Sequence, residues 1–237
     1  NRGINQMGTL GSGNHYLEIE YLTAENLHHP EFAEAFGVGE PGQVVLAVHC
    51  GSRGFGHQIA TDYLKTFTQN AGSYGFKLRD RELAAAPIES ADGRAYYSAM
   101  ACAANSAFAN RQVITHRIRK VFQSVFNKPW EELDLTMLYD VAHNIARFEN
   151  YTIDGQRKKV LVHRKGATRS FGPDNAEIPV AYTKIGQPVI VGGSMETGSA
   201  LFAGTTTAES DYFGTTLHGS GRVIDRKSTR LNSSHYS

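Results

Sequence analysis

Cysteine, net charge and long apolar runs are all scarce in this sequence. Only two of its 237 residues are cysteine, Cys50 and Cys102, which excludes a disulfide framework and favours a reducing, cytoplasmic location. No apolar run is long enough to cross a bilayer, and Asn1–Gln6 lacks the pattern of a signal peptide, so we expect no membrane association. The formal net charge is only +1, so any binding of nucleic acid must come from local basic patches.

Apolar patterns predict a mixture of helices and strands, and therefore a mixed α/β (α+β) class. Val44–Val48 is a continuous apolar run, typical of a strand buried on both faces. The longest helical pattern, over 94–126, should bury one face that includes Ile114, Val121 and Val125. Further patterns predict strands over 14–22 and 188–191, a hairpin with its turn at Asp154–Gly155, and helices over 31–36 and 58–69.

Five histidines follow short strands or loops, each with glycine, asparagine or arginine close by: His15, His49, His143, His163 and His218. Neutral imidazole is a good ligand for manganese or zinc. Together with glycine-rich turns and arginines, these histidines indicate metal-assisted phosphoryl or nucleotidyl transfer. A Walker loop, a zinc HExxH motif and a nucleophile-elbow serine are absent. Around His143, over 138–147, helix and strand are both possible, and a histidine in such an apolar setting is often a core residue.

Two basic, glycine-containing stretches are candidates for binding phosphate. In Phe213–Arg222 (FGTTLHGSGR), glycine lets backbone approach a ligand closely, and Arg222 provides a planar fork for phosphate. Here His218 could attack a phosphate or bind a metal beside it, but a surface turn with an incidental histidine is equally compatible. Arg164, Lys165 and Arg169 surround a glycine and suit polyphosphate or RNA, or form a basic surface loop.

Six motifs, in order along residues 1–227, resemble those of the RtcB-type RNA-splicing ligase family. They are GSGNH at 11–15 with Glu18, HCGSRGFGH at 49–57, DVAHN at 140–144, VHRKGAT at 162–168, GSM at 193–195 and HGSGR at 218–222. The resemblance implies a catalytic domain over 1–227 whose stacked sheets, flanked by helices, surround a metal and nucleotide site. It also implies an RNA ligase that depends on GTP and manganese (Mn2+), with two ions in the intact site.

The implied reaction joins an RNA 3′-phosphate or 2′,3′-cyclic phosphate end to a 5′-hydroxyl end, in tRNA splicing or RNA repair. By the same resemblance His218 attacks GTP and carries GMP as a histidine–GMP intermediate. GMP then passes to the RNA 3′-phosphate, and the 5′-hydroxyl displaces it. The implied partners are GTP, RNA (tRNA halves or broken RNA ends) and an activating protein.

The resemblance also assigns residues to the site. The implied metal ligands are His15, His49 and His143, and Arg53 is a candidate contact to RNA phosphate. Glu18 and Ser199 are implied to recognise guanine. The full set implied to line the nucleotide site is Asn14, Tyr16, Glu18, Asn144, Gly193, Ser194, Met195, Ser199, Ser220 and Gly221.

Two family features are absent from the sequence. An Asp-x-Gly-Cys-Gly motif, whose Asp and Cys bind metal, would precede residue 1, and a C-terminal segment with a nucleotide-contacting lysine is missing. Cys50 and Cys102 are not in that context and do not replace the motif. We therefore expect a central fragment with a disordered or artefactual tail over 228–237, and weak metal binding with impaired ligation. The rival hypotheses are a His-metal phosphohydrolase and a non-catalytic nucleotide- or RNA-binding remnant.

Overall fold

Helices and strands are interspersed along the chain, which confirms the predicted mixed α/β class. The computed structural model describes residues 3–194 and 197–219. In chain order its helices and strands are β1 (Tyr16–Tyr21), α1 (Pro30–Ala35), β2 (Val44–His49), α2 (Gly54–Asn70), α3 (Ala91–Phe126), β3 (Asn144–Ile153), β4 (Gln156–Lys165), β5 (Ala167–Arg169), β6 (Pro188–Val191), β7 (Ala200–Ala203), α4 (Thr206–Asp211) and β8 (Thr215–Leu217). Short 3₁₀ helices cover Ile4–Gln6, Ala24–Asn26, Arg81–Leu83 and Val180–Tyr182.

The chain divides into two compact units, each built from two segments. The first unit comprises Asn1–Leu22 and Pro41–Asp140, and the second comprises Thr23–Glu40 and Val141–Ser237. The expected catalytic domain over 1–227, with stacked sheets around one site, stays a prediction. The expected tail over 228–237 lies outside the described residues. Within residues 3–194 and 197–219, no helix is long and apolar enough to cross a membrane.

The sheet of the first unit consists of β1 and β2, paired antiparallel with Tyr16 opposite His49. Both strands were predicted, and along β1 half-buried and exposed residues alternate as expected. The prediction that Val44–Val48 is buried on both faces is wrong, because Val44 is 55% exposed and only Ala47 is fully buried. In a two-stranded sheet each strand has only one neighbouring strand, so much of its surface can remain exposed to solvent. A continuous apolar run in such a strand therefore does not guarantee burial.

The two long helices of the first unit pack through aromatic side chains. Tyr63 and Phe67 of α2 contact the ring of Tyr96 on α3, with centroid distances of 5.2 and 5.4 Å. Helix α3 begins after Ser90, whose hydroxyl accepts a hydrogen bond from the Gly93 amide at 3.0 Å. It ends at Asn127 in the left-handed conformation, which is a common helix terminator.

The apolar face predicted along α3 is buried only in part. Ile114 is 4% exposed, whereas Val121 and Val125 are 59% and 70% exposed. The aromatic contacts with α2 lie near the start of α3, so they do not cover its last turns. The helical period was therefore read correctly, but the extent of the buried face was not.

The second unit contains three two-stranded antiparallel sheets among its described residues, β3 with β4, β5 with β8 and β6 with β7. Asp154 and Gly155 both have positive φ, 52° and 74°, as a tight type I′ hairpin turn requires, which confirms the predicted turn. The ambiguous stretch over 138–147 is resolved as strand from Asn144 onward. His143 thus immediately precedes β3, and His218 immediately follows β8.

Candidate functional site

In the first unit, Asn110 of α3 holds the glycine-rich loop against the end of β2. Its side-chain oxygen accepts a hydrogen bond from the Gly8 amide at 2.6 Å. Its amide nitrogen donates to the carbonyl of Gly51 at 3.0 Å and to that of Thr9 at 3.3 Å. Asn110 is 1% exposed, so these bonds are made away from solvent. The loop that precedes Asn14–His15 and the loop that follows His49 are therefore fixed by one side chain.

Cys50 is a buried thiol within this arrangement. Its Sγ donates to the carbonyl of Leu10 at 3.1 Å and accepts from Asn110 Nδ2 at 3.1 Å. Burial raises the pKa of the Cys50 thiol. Arg111 completes the contacts, because its guanidinium donates to the Cys50 carbonyl at 3.0 Å and to the Asp140 carboxylate at 2.6 Å. These hydrogen bonds explain why a thiol is accommodated at this buried position, and they do not require that Cys50 be a metal ligand.

His15 and His49 lie side by side in the first unit. Their ring centroids are 5.9 Å apart at an interplanar angle of 61°, and the ring of Tyr16 packs edge-on against His49 at 5.3 Å. Nδ1 of His15 is buried and has no hydrogen-bond partner in the part of the chain that the structure describes. A buried polar atom of this kind is costly unless another group binds it, so the position fits a metal ligand.

The predicted metal ligands fall in both units. His15 and His49 belong to the first unit and His143 belongs to the second. Among residues 3–194 and 197–219, no three His, Cys, Asp or Glu side chains are grouped closely enough to hold a metal ion. The structure brings two of the three predicted ligands together, and the set of three stays a prediction.

Arg53 immediately precedes α2 and has an unusual backbone conformation, with φ 55° and ψ −145°. Its Nε donates to Thr9 Oγ1 at 3.2 Å. Its guanidinium lies over Gly11, whose φ of +95° favours glycine. Arg53, the predicted contact to RNA phosphate, therefore lies against the glycine-rich loop.

In the second unit, His218 and His143 are stacked. Their rings are 4.7 Å apart and nearly parallel, at an interplanar angle of 5°. Nδ1 of His218 lies 2.6 Å from the Gly166 carbonyl oxygen. A carbonyl oxygen can only accept, so Nδ1 carries the proton and Nε2 of the neutral ring carries the lone pair. The Gly166 amide in turn donates to Asn144 Oδ1 at 2.9 Å. Gly166 is therefore hydrogen-bonded both to the DVAHN motif, through Asn144, and to the HGSGR motif, through His218.

The loop after β6 adjoins the backbone of His218. The Gly192 amide donates to the His218 carbonyl at 3.1 Å, and Gly192 forms a parallel bridge with Gly219. A side chain at Gly193 would collide with the Gly198 carbonyl, so this turn requires glycine. Ser194 Oγ is 3.1 Å from Thr197 Oγ1. The predicted Met195, Ser220 and Gly221 lie outside the described residues.

The remaining predicted nucleotide residues are divided between the units. Tyr16 and Glu18 are half-buried on the same side of β1, and Asn14 is exposed just before that strand. All three belong to the first unit. Ser199 belongs to the second unit, and its Oγ is buried with no hydrogen-bond partner within residues 3–194 and 197–219.

The sequence left Arg164 open as a phosphate contact or as part of a basic surface loop, and its burial agrees with neither. Its side chain is 0% exposed and forms an ion pair with Glu149. Sequence reasoning could not separate Arg164 from its exposed neighbour Lys165, because the alternation of a strand decides which of the two points inward. Sequence reasoning also missed Asn110, Arg111 and Glu149. In the sequence, these three residues stand out only as polar residues within an apolar pattern. Such a pattern does not identify the residues to which they would bind.

Comparison with known proteins gives one consistent result. The family model described as tRNA-splicing ligase RtcB matches residues 1–236. The chain is 54% identical over 225 residues to tRNA-splicing ligase RtcB of Methanococcus maripaludis, which covers 95% of this chain and 46% of that protein. It is 48% identical over 229 residues to the protein of the same name from Archaeoglobus fulgidus, covering 97% and 47%.

A third relative, tRNA-splicing ligase RtcB of Methanocaldococcus jannaschii, is 52% identical over 225 residues. The match covers 95% of this chain but only 23% of that longer protein. The chain therefore spans about half the length of the first two relatives, at 46% and 47%, and less of the third. Since the match extends over nearly the whole chain, the chain belongs to the tRNA-splicing ligase RtcB family.

Proposed function

We propose that the protein is an RNA ligase that uses His218 as its nucleophile toward GTP. The observation that carries the proposal is the hydrogen bond between His218 Nδ1 and the Gly166 carbonyl. This bond leaves the lone pair on Nε2, so the ring is in the tautomer that a nucleophile needs. The stacked ring of His143 and the bridge at Gly192 further support a fixed orientation for His218.

In the proposed reaction, Nε2 of His218 attacks the α-phosphorus of GTP, the N–P bond forms and pyrophosphate leaves. An RNA 3′-phosphate oxygen then takes GMP from the histidine, and a 5′-hydroxyl displaces GMP to form the phosphodiester bond. Ser199, with its buried unpaired Oγ among the described residues, and Glu18 would bind guanine. His15, His49 and His143 would hold Mn2+, which when bound neutralises phosphate charge.

Arg53 would contact one phosphate of the RNA backbone. Its contribution to the affinity for RNA would therefore decrease as the salt concentration rises, as expected for a single phosphate contact. The RNA is a tRNA half or another broken RNA with a 3′-phosphate or cyclic phosphate end. We place the reaction in the cytoplasm and propose an activating protein as a further partner. These statements concern the whole ligase, of which the chain spans about half.

The test is covalent labelling with α-labelled GTP and Mn2+. The 237-residue chain and a version extended to the length of its relatives are compared, each with His218→Ala. We expect acid-labile, base-stable label on the extended protein, and none after His218→Ala. His116→Ala is the matched control, because His116 is an exposed histidine on α3 outside the six motifs and should leave labelling unchanged.

Other outcomes favour the rival hypotheses. Release of labelled phosphate or nucleotide without a protein adduct would indicate a His-metal phosphohydrolase. Salt-sensitive RNA binding with neither adduct nor hydrolysis would indicate a non-catalytic binding protein. Label on the extended protein but not on the short chain would show that this segment alone is insufficient.

A further inference from the structure

The second unit contains a buried bidentate ion pair between Arg164 of β4 and Glu149 of β3. Arg164 Nη1 and Nη2 each lie 2.8 Å from one carboxylate oxygen of Glu149. The two side chains are 0% and 3% exposed. A buried ion pair often stabilises a fold no better than apolar side chains of the same size, so stability alone does not explain this one.

The remaining donors of Arg164 bind the segment that leads to His218. Its Nη2 donates to the carbonyl of Phe213 at 2.8 Å, and its Nε donates to Thr215 Oγ1 at 3.0 Å. The Gly214 carbonyl lies 3.4 Å from Nη2. One planar guanidinium therefore binds three consecutive residues on one side and the Glu149 carboxylate on the other.

Glu149 is held in turn by Tyr151. The Tyr151 hydroxyl donates to Glu149 Oε2 at 2.9 Å, and its ring packs edge-on against Phe213 at 5.1 Å. Burial, with the neighbouring carboxylate, raises the pKa of Tyr151 above its ordinary value, so the phenol remains a donor. The carboxylate orients Arg164, and the phenol orients the carboxylate.

The bound segment has a strained backbone. Phe213 and Gly214 both have φ of 53°, a left-handed conformation that a phenylalanine rarely adopts. A side chain at Gly214 would lie 2.6 Å from the Phe171 ring, so this position is closed to other residues. Such a conformation persists only where surrounding contacts impose it, and Arg164 supplies contacts to both residues.

We propose that Arg164 is a positioning residue for His218. It fixes the Phe213–Gly214 turn, the turn sets where β8 begins, and β8 delivers His218 with Nδ1 against the Gly166 carbonyl. The expected effect on the transfer of GMP to His218 rests on the proposed function, whereas the expected orientation of the His218 ring does not. Lysine cannot replace Arg164, because a single ammonium cannot bind the carboxylate and the turn in this fork geometry.

The test compares Arg164→Lys with Arg147→Lys in the 237-residue chain. Arg147 is the matched control, because it lies on β3 and pairs with Glu177 at 3.2 Å with 39% of its side chain exposed. The readout is ¹⁵N NMR of the His218 ring at a pH where imidazole is neutral. We expect the wild type and Arg147→Lys to show the Nδ1–H tautomer. Arg164→Lys should shift the tautomer ratio toward Nε2–H by at least about threefold, a change that global stability does not produce.

Thr215→Val is a milder variant in case Arg164→Lys does not fold. It keeps the shape of the side chain and removes the acceptor for Arg164 Nε, together with the hydrogen bond that Thr215 Oγ1 donates to the Phe213 carbonyl at 3.0 Å. Since the Arg164 bonds to Glu149 and Phe213 remain, a smaller shift in the same direction is expected. In the extended protein, the rate of labelling by GTP should fall while the GTP concentration for half-saturation stays unchanged. A wild-type tautomer ratio in every folded variant overturns the proposal. If the wild type takes no label, the proposed function fails, and the tautomer ratio still decides the role of Arg164.

Discussion

Replacing Asn110 with alanine should loosen the glycine-rich loop from the end of β2. The wild-type side chain accepts from the buried Gly8 amide at 2.6 Å and donates to the Gly51 and Thr9 carbonyls at 3.0 and 3.3 Å. Alanine makes none of these bonds. The shortened side chain also leaves a small cavity in a position that is 1% exposed in the wild type.

The expected loss can be worked out from these contacts. A hydrogen bond contributes about 1 kcal/mol net, but a buried donor left without a partner costs about 1–3 kcal/mol. The Gly8 amide would be such a donor. We therefore expect the free energy of unfolding of the first unit to fall by about 3 kcal/mol, which at about 2 kcal/mol per molar urea lowers the midpoint by about 1.5 M.

The assay is urea unfolding followed by the fluorescence of Trp130, the single tryptophan, which lies in the first unit. Gln58→Ala is the control, because Gln58 forms an exposed hydrogen bond with Asp62 at 2.8 Å and its loss should cost less than about 0.5 kcal/mol. Hydrogen exchange at the Gly8 amide should accelerate in Asn110→Ala. A loss below about 1 kcal/mol, or unchanged exchange at Gly8, would refute the reasoning.

Two further predictions concern the same unit. Gly8→Ala should destabilise it by about 1–2 kcal/mol more than Gly42→Ala in thermal unfolding. Both positions have positive φ, but only at Gly8 would the new methyl collide with a short branched side chain, that of Val113; equal effects would contradict the geometry. In native protein, iodoacetamide should modify the exposed Cys102 and spare Cys50, which is 3% exposed and has a raised pKa. Equal rates by mass spectrometry would show that Cys50 is accessible.

Local patterns predicted most of the elements because they depend on neighbouring residues. The helix expected over 94–126 is Ala91–Phe126, and the turn at Asp154–Gly155 was placed correctly. A helix period or a turn signal is a property of a few consecutive residues, so it can be read without knowing the fold. The motifs around His143 and His218 were likewise recognised from short stretches.

Burial and pairing were not predictable in the same way. Gly8 and Asn110 are 102 residues apart, and the Glu149–Arg164 pair is recognisable only once β3 and β4 are paired in register. The exposed Val121 and Val125 make the same point for α3. A sequence shows which residues could be buried, whereas the packing of distant segments decides which of them are.

The sequence by itself determined the types of most elements, the six ordered motifs and, through them, the family. Only the tertiary structure decided that His218 stacks on His143 with Nδ1 against Gly166, and that Arg53 fills the space over Gly11. It also decided that Arg164 is a buried partner of Glu149 and not a phosphate ligand. The physical reason is that residue type limits the chemistry a side chain can perform, while its protonation, orientation and access depend on atoms that the fold brings from far along the chain.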